Sequence, residues 1–198
     1  DKNQLNQAYI AGLMKLNDRL SATTNETEKK TTKKEEEKKL TTAKTETKQI
    51  VPTNIGVDNK FGGSVSIDGN NIIVGATGND GKGAAYIFER NGDGTWNTNE
   101  THKIQPTELQ SGDGFGKVNI KGNYAIIGAT GDDTTATDSG AAYIYEYNTG
   151  TSIWEKKNKI KSSNPDTSAQ YGFSVAIEGF NCIVGAVFED NNAVETDD

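Results

Sequence analysis

The sequence runs to 198 residues, with 28 Asp and Glu against 21 Lys and Arg for a formal charge of −7, and it holds 22 glycines but one cysteine. One cysteine excludes an internal disulfide framework and a cysteine-built metal site, and no apolar run approaches the ~20 residues that span a bilayer. The charge is unevenly placed: residues 1–50 carry 11 basic and 8 acidic side chains with one glycine, and residues 51–198 carry 10 and 20 with the other 21 glycines, so the glycine-rich part repels nucleic acid and anionic lipid.

The first predicted element is a helix over residues 1–20. Leu5, Tyr9, Leu13, Leu16 and Leu20 recur at steps of four, four, three and four, with Ile10 and Met14 widening the stripe. Only Lys2, Lys15 and Arg19 flank it, too few cations for a membrane-surface helix, so the expected role is docking on the rest of the chain, a neighbouring subunit or another protein. Residues 21–52 follow as a charged, Thr-rich linker. Leu40 is the one large apolar side chain between Ser21 and Gln49, which leaves nothing to build a core.

From residue 53 to 198 the chain writes one hairpin three times. The copies begin at Phe61-Gly62, Phe115-Gly116 and Tyr171-Gly172, spaced 54 and 56 residues apart. In each, alternating apolar residues (Val65 and Ile67, Val118 and Ile120, Val175 and Ile177) predict a first strand with one buried face. Asp68-Gly69, Lys121-Gly122 and Glu178-Gly179 predict tight turns, glycine supplying the left-handed position. A second strand closes on Gly75-Ala76, Gly128-Ala129 or Gly185-Ala186, and Cys182, aligned with Ile72 and Ala125, is expected to be a small buried hydrophobe. Third strands begin at Gly83-Ala84-Ala85-Tyr86 and Gly140-Ala141-Ala142-Tyr143, and fourth strands are predicted from Trp96 to Ile104 and from Trp154 to Ile160. Gly63 and Phe173 are extra relative to copy 2, which predicts a bulge in copies 1 and 3 and a different tilt for Phe115.

Four antiparallel strands per period are the content of a propeller blade. The fold class is mainly β: two complete blades at about 58–110 and 111–166 and an incomplete third at 167–198, preceded by the helix and the polar tether. The pattern Phe-Gly-x-Ser-Val-x-Ile, then Ile-Val-Gly-Ala, then Gly-Ala-Ala-Tyr-Ile-Phe resembles the FG-GAP repeat, the blade unit of the propeller head of integrin alpha chains. That resemblance implies a non-catalytic, secreted or cell-surface module that binds other proteins, often in adhesion. This sequence departs from the integrin-type blade in having no Asp-x-Asp-x-Asp-Gly calcium loop between first and second strands and no proline after Gly-Ala. The chain opens on Asp1 and stops where a third Gly-Ala-Ala-Tyr strand is due, so the expectation is a piece of a longer protein, or one whose missing blades come from other chains.

Acidic residues recur between second and third strands: Asn79 and Asp80; Asp132, Asp133 and Asp138; Glu189, Asp190, Asn191 and Asn192. Turn-forming, solvated loops are the first reading, and cation or partner binding is the second, with calcium the one cofactor weighed. His102 is the only histidine and no copy repeats it; with no nucleophile elbow, phosphate loop or zinc-binding pair, catalysis is not expected. Asn25 and Asn99 match the glycan acceptor pattern. The functional expectation is a protein-interaction module. The alternatives are a structural subunit, homo-oligomeric or part of a larger assembly, that uses helix and blade edges, and a calcium-dependent adhesin.

Overall fold

The computed structural model describes residues 48–189. The expected helix with Leu5, Tyr9, Leu13, Leu16 and Leu20, most of the linker, and Asp190 lie outside the described residues. Those described contain no α-helix, a single 3-10 turn at Asn79–Gly81, and three antiparallel sheets. Sheet one is β1 (Phe61–Asp68), β2 (Asn71–Ala76), β3 (Ala84–Glu89) and β4 (His102–Ile104), in that order. Sheet two repeats the order with β5 (Phe115–Lys121), β6 (Tyr124–Ala129), β7 (Ala141–Asn148) and β8 (Ile153–Ile160); sheet three is β9 (Ser174–Glu178) paired with β10 (Asn181–Gly185).

The hairpin turns follow from glycine. Asp68 pairs with Asn71, Lys121 with Tyr124 and Glu178 with Asn181, leaving two-residue loops. Each loop opens on a glycine with positive φ, 53° at Gly69, 55° at Gly122 and 58° at Gly179, where a side chain is strained.

Two expectations need correcting here. Every copy is irregular at its Phe/Tyr-Gly pair. Copy 2 has a one-residue bulge between Phe115 and Lys117, and copy 1 has two residues between Phe61 and Ser64. In copy 3 the amides of both Gly172 and Phe173 donate to the Gly185 carbonyl, each at 3.1 Å. The shorter bulge does not re-aim the ring: Phe115 meets Tyr143 edge-on at 5.2 Å and 80°, much as Phe61 meets Tyr86 at 5.8 Å and 74°. The fourth strand of copy 1 is also shorter than predicted. Ile104 follows Trp96 by eight positions and Ile160 follows Trp154 by six, so the surplus in copy 1 leaves the ladder between the Arg90–Trp96 bridge and the Ile87–His102 pair.

Alternation along the strands gives each sheet two apolar faces, and the core lies between sheets. Ile73, Ala85 and Ile87 of sheet one pack against Val118, Ile120, Ile127, Tyr143 and Tyr145 of sheet two. Ile126, Ala142 and Ile144 on the other face of sheet two pack against Val175, Ile177 and Val184 of sheet three. The outer face of sheet one, with Phe61, Ile72, Val74, Tyr86 and Phe88, is covered by Ile50 and Ile55. Among the described residues nothing covers the outer face of sheet three. Ile183 is 71% exposed, whereas Ile73 and Ile126 at the same register are fully buried. Cys182 is exposed, against expectation. Ile72 lies beside Phe88 and Ala125 beside Tyr145 on their third strands, and sheet three has no third strand among the described residues to cover Cys182.

Candidate functional site

The motif residues converge at the joints between sheets. A Cβ built on Gly75 falls under 3.0 Å from the carbonyl oxygen of Gly116, and one on Gly128 does the same at Gly172. Gly83 meets the Phe115 carbonyl and Gly140 the Tyr171 carbonyl with equal closeness. The Phe/Tyr-Gly pairs of copies 2 and 3 therefore seat in the Gly-Ala ends of the second and third strands of the copy before. Parallel bridges fix the seat, Gly83 to Phe115 and Gly140 to Tyr171. Their hydrogen bonds run from Phe115 N–H to the Lys82 carbonyl at 3.0 Å and from Tyr171 N–H to the Ser139 carbonyl at 2.9 Å. Glycine is required because backbone meets backbone, and no side chain can yield. Gly185, third in the series, faces only the Ser174 hydroxyl of its own sheet.

The first strands are also stitched by polar side chains. Ser64 Oγ accepts from Val118 N–H at 2.9 Å, Ser66 Oγ from Ile120 N–H at 3.2 Å, and Asp68 from Gly122 N–H at 2.8 Å. Asn119 spans three copies: its Nδ2 donates to Ser66 Oγ at 3.2 Å and its Oδ1 accepts from Ile177 N–H at 2.9 Å. Lys121 does likewise between Asp68 at 3.2 Å and Glu178 at 3.7 Å. Sequence reasoning missed this row. Its signal is the polar half of the alternation, Ser64, Ser66, Asp68 and Lys117, Asn119, Lys121, opposite the Val and Ile that mark the core.

The acidic loops divide by role. Asp132 is buried at 3% exposure, accepts from Lys159 Nζ at 2.6 Å and Tyr143 Oη at 2.9 Å, and caps its loop through Thr134 N–H at 3.1 Å. Burial pushes its carboxyl up, and the hydrogen bonds from Lys159, Thr134 and Tyr143 more than reverse that, leaving it below the ordinary carboxylate range. Burial has the upper hand at Asp113, which is raised. Asp133 accepts from Asp138 N–H at 2.6 Å, and Asp138 itself holds a left-handed φ of 50°. In copy 1 the buried Asn79 replaces Asp132 and takes Gln105 Nε2 at 3.2 Å, while Asp80 is exposed 3.4 Å from Lys103 Nζ. The Tyr86 hydroxyl, matching Tyr143, is buried with no hydrogen-bond partner among the described residues, and burial ahead of the charges of Asp80 and Glu100 pushes it up to about 12. Among the described residues no three His, Cys, Asp or Glu side chains are grouped to hold a metal ion.

His102 lies 3.5 Å from Glu89 and edge-on to Tyr147 at 5.8 Å. It borders an open cleft of ≈ 400 Å³ that also touches Pro106, Tyr145, Ile153 and Trp154.

Identical joints, one sheet per period and a core shared between neighbours define a repeat protein whose sheets stack on one another. The FG-GAP repeat family matches three times, at residues 45–88, 98–145 and 154–197, together more than half of the chain. The chain belongs to that family. Comparison with curated proteins gives no match.

Proposed function

We propose that the chain is a non-catalytic protein-interaction module of a secreted or cell-surface protein, its sheets serving as propeller blades that present the loops between second and third strands to a partner. The observation that carries this reading is the joint. At both joints between described sheets the family's signature residues are consumed in seating one sheet on the next, which leaves the loops as the part free to vary. The most buried loop carboxylate, Asp132, is paired with Lys159 and held by Tyr143, which stiffens the loop. The largely exposed stretch from Asp133 to Thr137 on the same loop then becomes the recognition surface.

The test is saturable binding of labelled chain to cell surfaces, with residues 133–137 replaced by Gly and Ser. Binding should fall while Tm holds. Binding that survives the replacement, or turnover abolished by a single loop carboxylate change, sinks the reading.

A second reading, a structural subunit of a multi-chain assembly, is favoured by one observation: the apolar outer face of sheet three around Ile183. Sedimentation of the isolated chain decides it, since a monomer unaffected by deleting residues 1–20 counts against assembly.

A further inference from the structure

Asn91 is the one asparagine of the chain that a glycine follows. It opens the loop between the third and fourth strands of copy 1, which the Arg90–Trp96 bridge closes. Every residue from Asn91 to Thr95 is exposed. The loop is held from within: Gly94 N–H donates to the Asn91 carbonyl at 2.9 Å, and Asn91 N–H donates to the Thr95 carbonyl at 2.7 Å. Asn91 Nδ2 donates to Thr95 Oγ1 at 3.0 Å, and that hydroxyl donates to Asp93 Oδ1 at 2.6 Å. Gly92 N–H makes no hydrogen bond among the described residues, and nothing lies within 4 Å of a Cβ built on Gly92. An unbound amide nitrogen, with no side chain to shield it, therefore adjoins the Asn91 carboxamide.

The matching turn of copy 2 is built the other way. Asn148 takes the place of Asn91, and the β-branched Thr149 follows it. Asn148 Oδ1 accepts from Gly150 N–H at 2.9 Å and from Thr151 N–H at 3.3 Å, while its Nδ2 donates to Glu155 Oε1 at 2.7 Å. Both ends of that carboxamide are tied down. Asn91 has only its Nδ2 bond to an exposed hydroxyl, of the kind that opens readily by local fluctuation.

We propose that Asn91 is a self-modifying site, a slow covalent clock that adds a carboxylate to this loop with water as the one co-reactant. The Gly92 amide nitrogen attacks Asn91 Cγ, an intramolecular step favoured by proximity. The N–Cγ bond forms, the Cγ–Nδ2 bond breaks, and the Gly92 amide proton leaves with Nδ2 as ammonia. Water then adds to either carbonyl of the five-membered imide. Opening on one side gives aspartate. Opening on the other gives isoaspartate, in which the main chain runs through Cγ and the former Asn91 carbonyl becomes a free carboxylate. Both products lose the donor to Thr95 Oγ1 and set a second carboxylate near Asp93, and isoaspartate also takes away the carbonyl that Gly94 N–H uses. Arg90 N–H donates to the Asn70 carbonyl at 2.9 Å, which puts the loop at the β1–β2 turn end of sheet one, away from the loops between second and third strands. Conversion thus marks the age of the chain without altering those loops.

Mass spectrometry of the full chain, held at neutral pH and physiological temperature and then cleaved at lysine, tests this. Residue 91, in the peptide of residues 83–103, should gain one mass unit and split into aspartate and isoaspartate roughly tenfold or more faster than Asn148. Gly92→Ala, which the open space around Gly92 and its φ outside the left-handed region admit, should keep Tm and slow conversion roughly tenfold. In the converted fraction, amide exchange at Gly94 should speed up while that at Ile87 holds. Conversion of Asn91 no faster than that of Asn148, an unchanged rate in Gly92→Ala, unchanged exchange at Gly94, or an Asn91 that stays intact in the folded chain while it converts in urea overturns the proposal. No readout depends on a cell-surface partner, so loss of this inference leaves the interaction-module reading to its own test.

Discussion

Copies 2 and 3 share the apolar and glycine pattern of their first hairpin, yet one is buried and the other open. Ala125 and Ile126 are fully buried; Cys182 is exposed and Ile183 is 71% exposed at the same register. Nothing in the hairpin accounts for this. Among the described residues sheet two has a sheet on either side and a third strand beside β6, and sheet three has no sheet on its outer side and no third strand beside β10. In such a stack burial belongs to the interface between repeats, so the same side chain is core in one copy and surface in the next.

The largest test of that contrast is at the joint. Gly128→Ala forces Cβ into the Gly172 backbone, and a cost of about 3 kcal/mol is expected in urea unfolding. Gly185→Ala meets only the movable Ser174 hydroxyl and should stay within about 0.5 kcal/mol. Equal costs would mean that the third sheet is already covered in solution.

The next effect compares copies 1 and 2. Asp132→Ala leaves Lys159 and Tyr143 without their shared acceptor and should cost about 2 kcal/mol, below the full value for a buried pair because Lys159 keeps contact with water. Asn79→Ala, its counterpart, loses one neutral hydrogen bond, about 1 kcal/mol. Because the folded-state carboxyl of Asp132 is depressed, its contribution is present above the unfolded pKa and is lost as pH falls through the folded one. Wild type should therefore lose stability relative to Asp132→Asn on acidification below about pH 4.

Smaller still is the tyrosine pair. Tyr143→Phe removes a donor to a buried carboxylate and should cost about 1 kcal/mol, whereas Tyr86→Phe deletes a buried hydroxyl that has no partner and should be neutral or slightly stabilising in thermal melts. The finest test carries no stability change. Cys182 should label with a maleimide in the folded state at the rate of an exposed thiol, and protection in a larger assembly would report that the open sheet has found its neighbour.

Much of the fold was legible beforehand because strands with one buried face alternate with period two, and because Gly69, Gly122 and Gly179 hold a conformation other residues avoid. The lengths of irregular parts were less so: the surplus residues near Glu100 read as strand, and only the pairing of Arg90 with Trp96 and of Ile87 with His102 shows that they leave the ladder. Among the candidate site residues, the Gly-Ala and Phe/Tyr-Gly pairs were recognisable as marks of repetition, but not as two halves of one contact. The role of Asp132 was hidden because its partner Lys159 lies 27 residues away in sequence.

By itself the amino-acid order determined the repeat, its strands, its turns and the family, since these depend on neighbours within a few residues. The tertiary structure alone decided which glycines touch, which carboxylate is buried and which copy is left open. Those outcomes depend on groups distant in the chain meeting in space, Asp132 with Lys159 at a separation of 27 residues and Gly128 with Gly172 across a sheet interface, and local propensity holds no record of that distance.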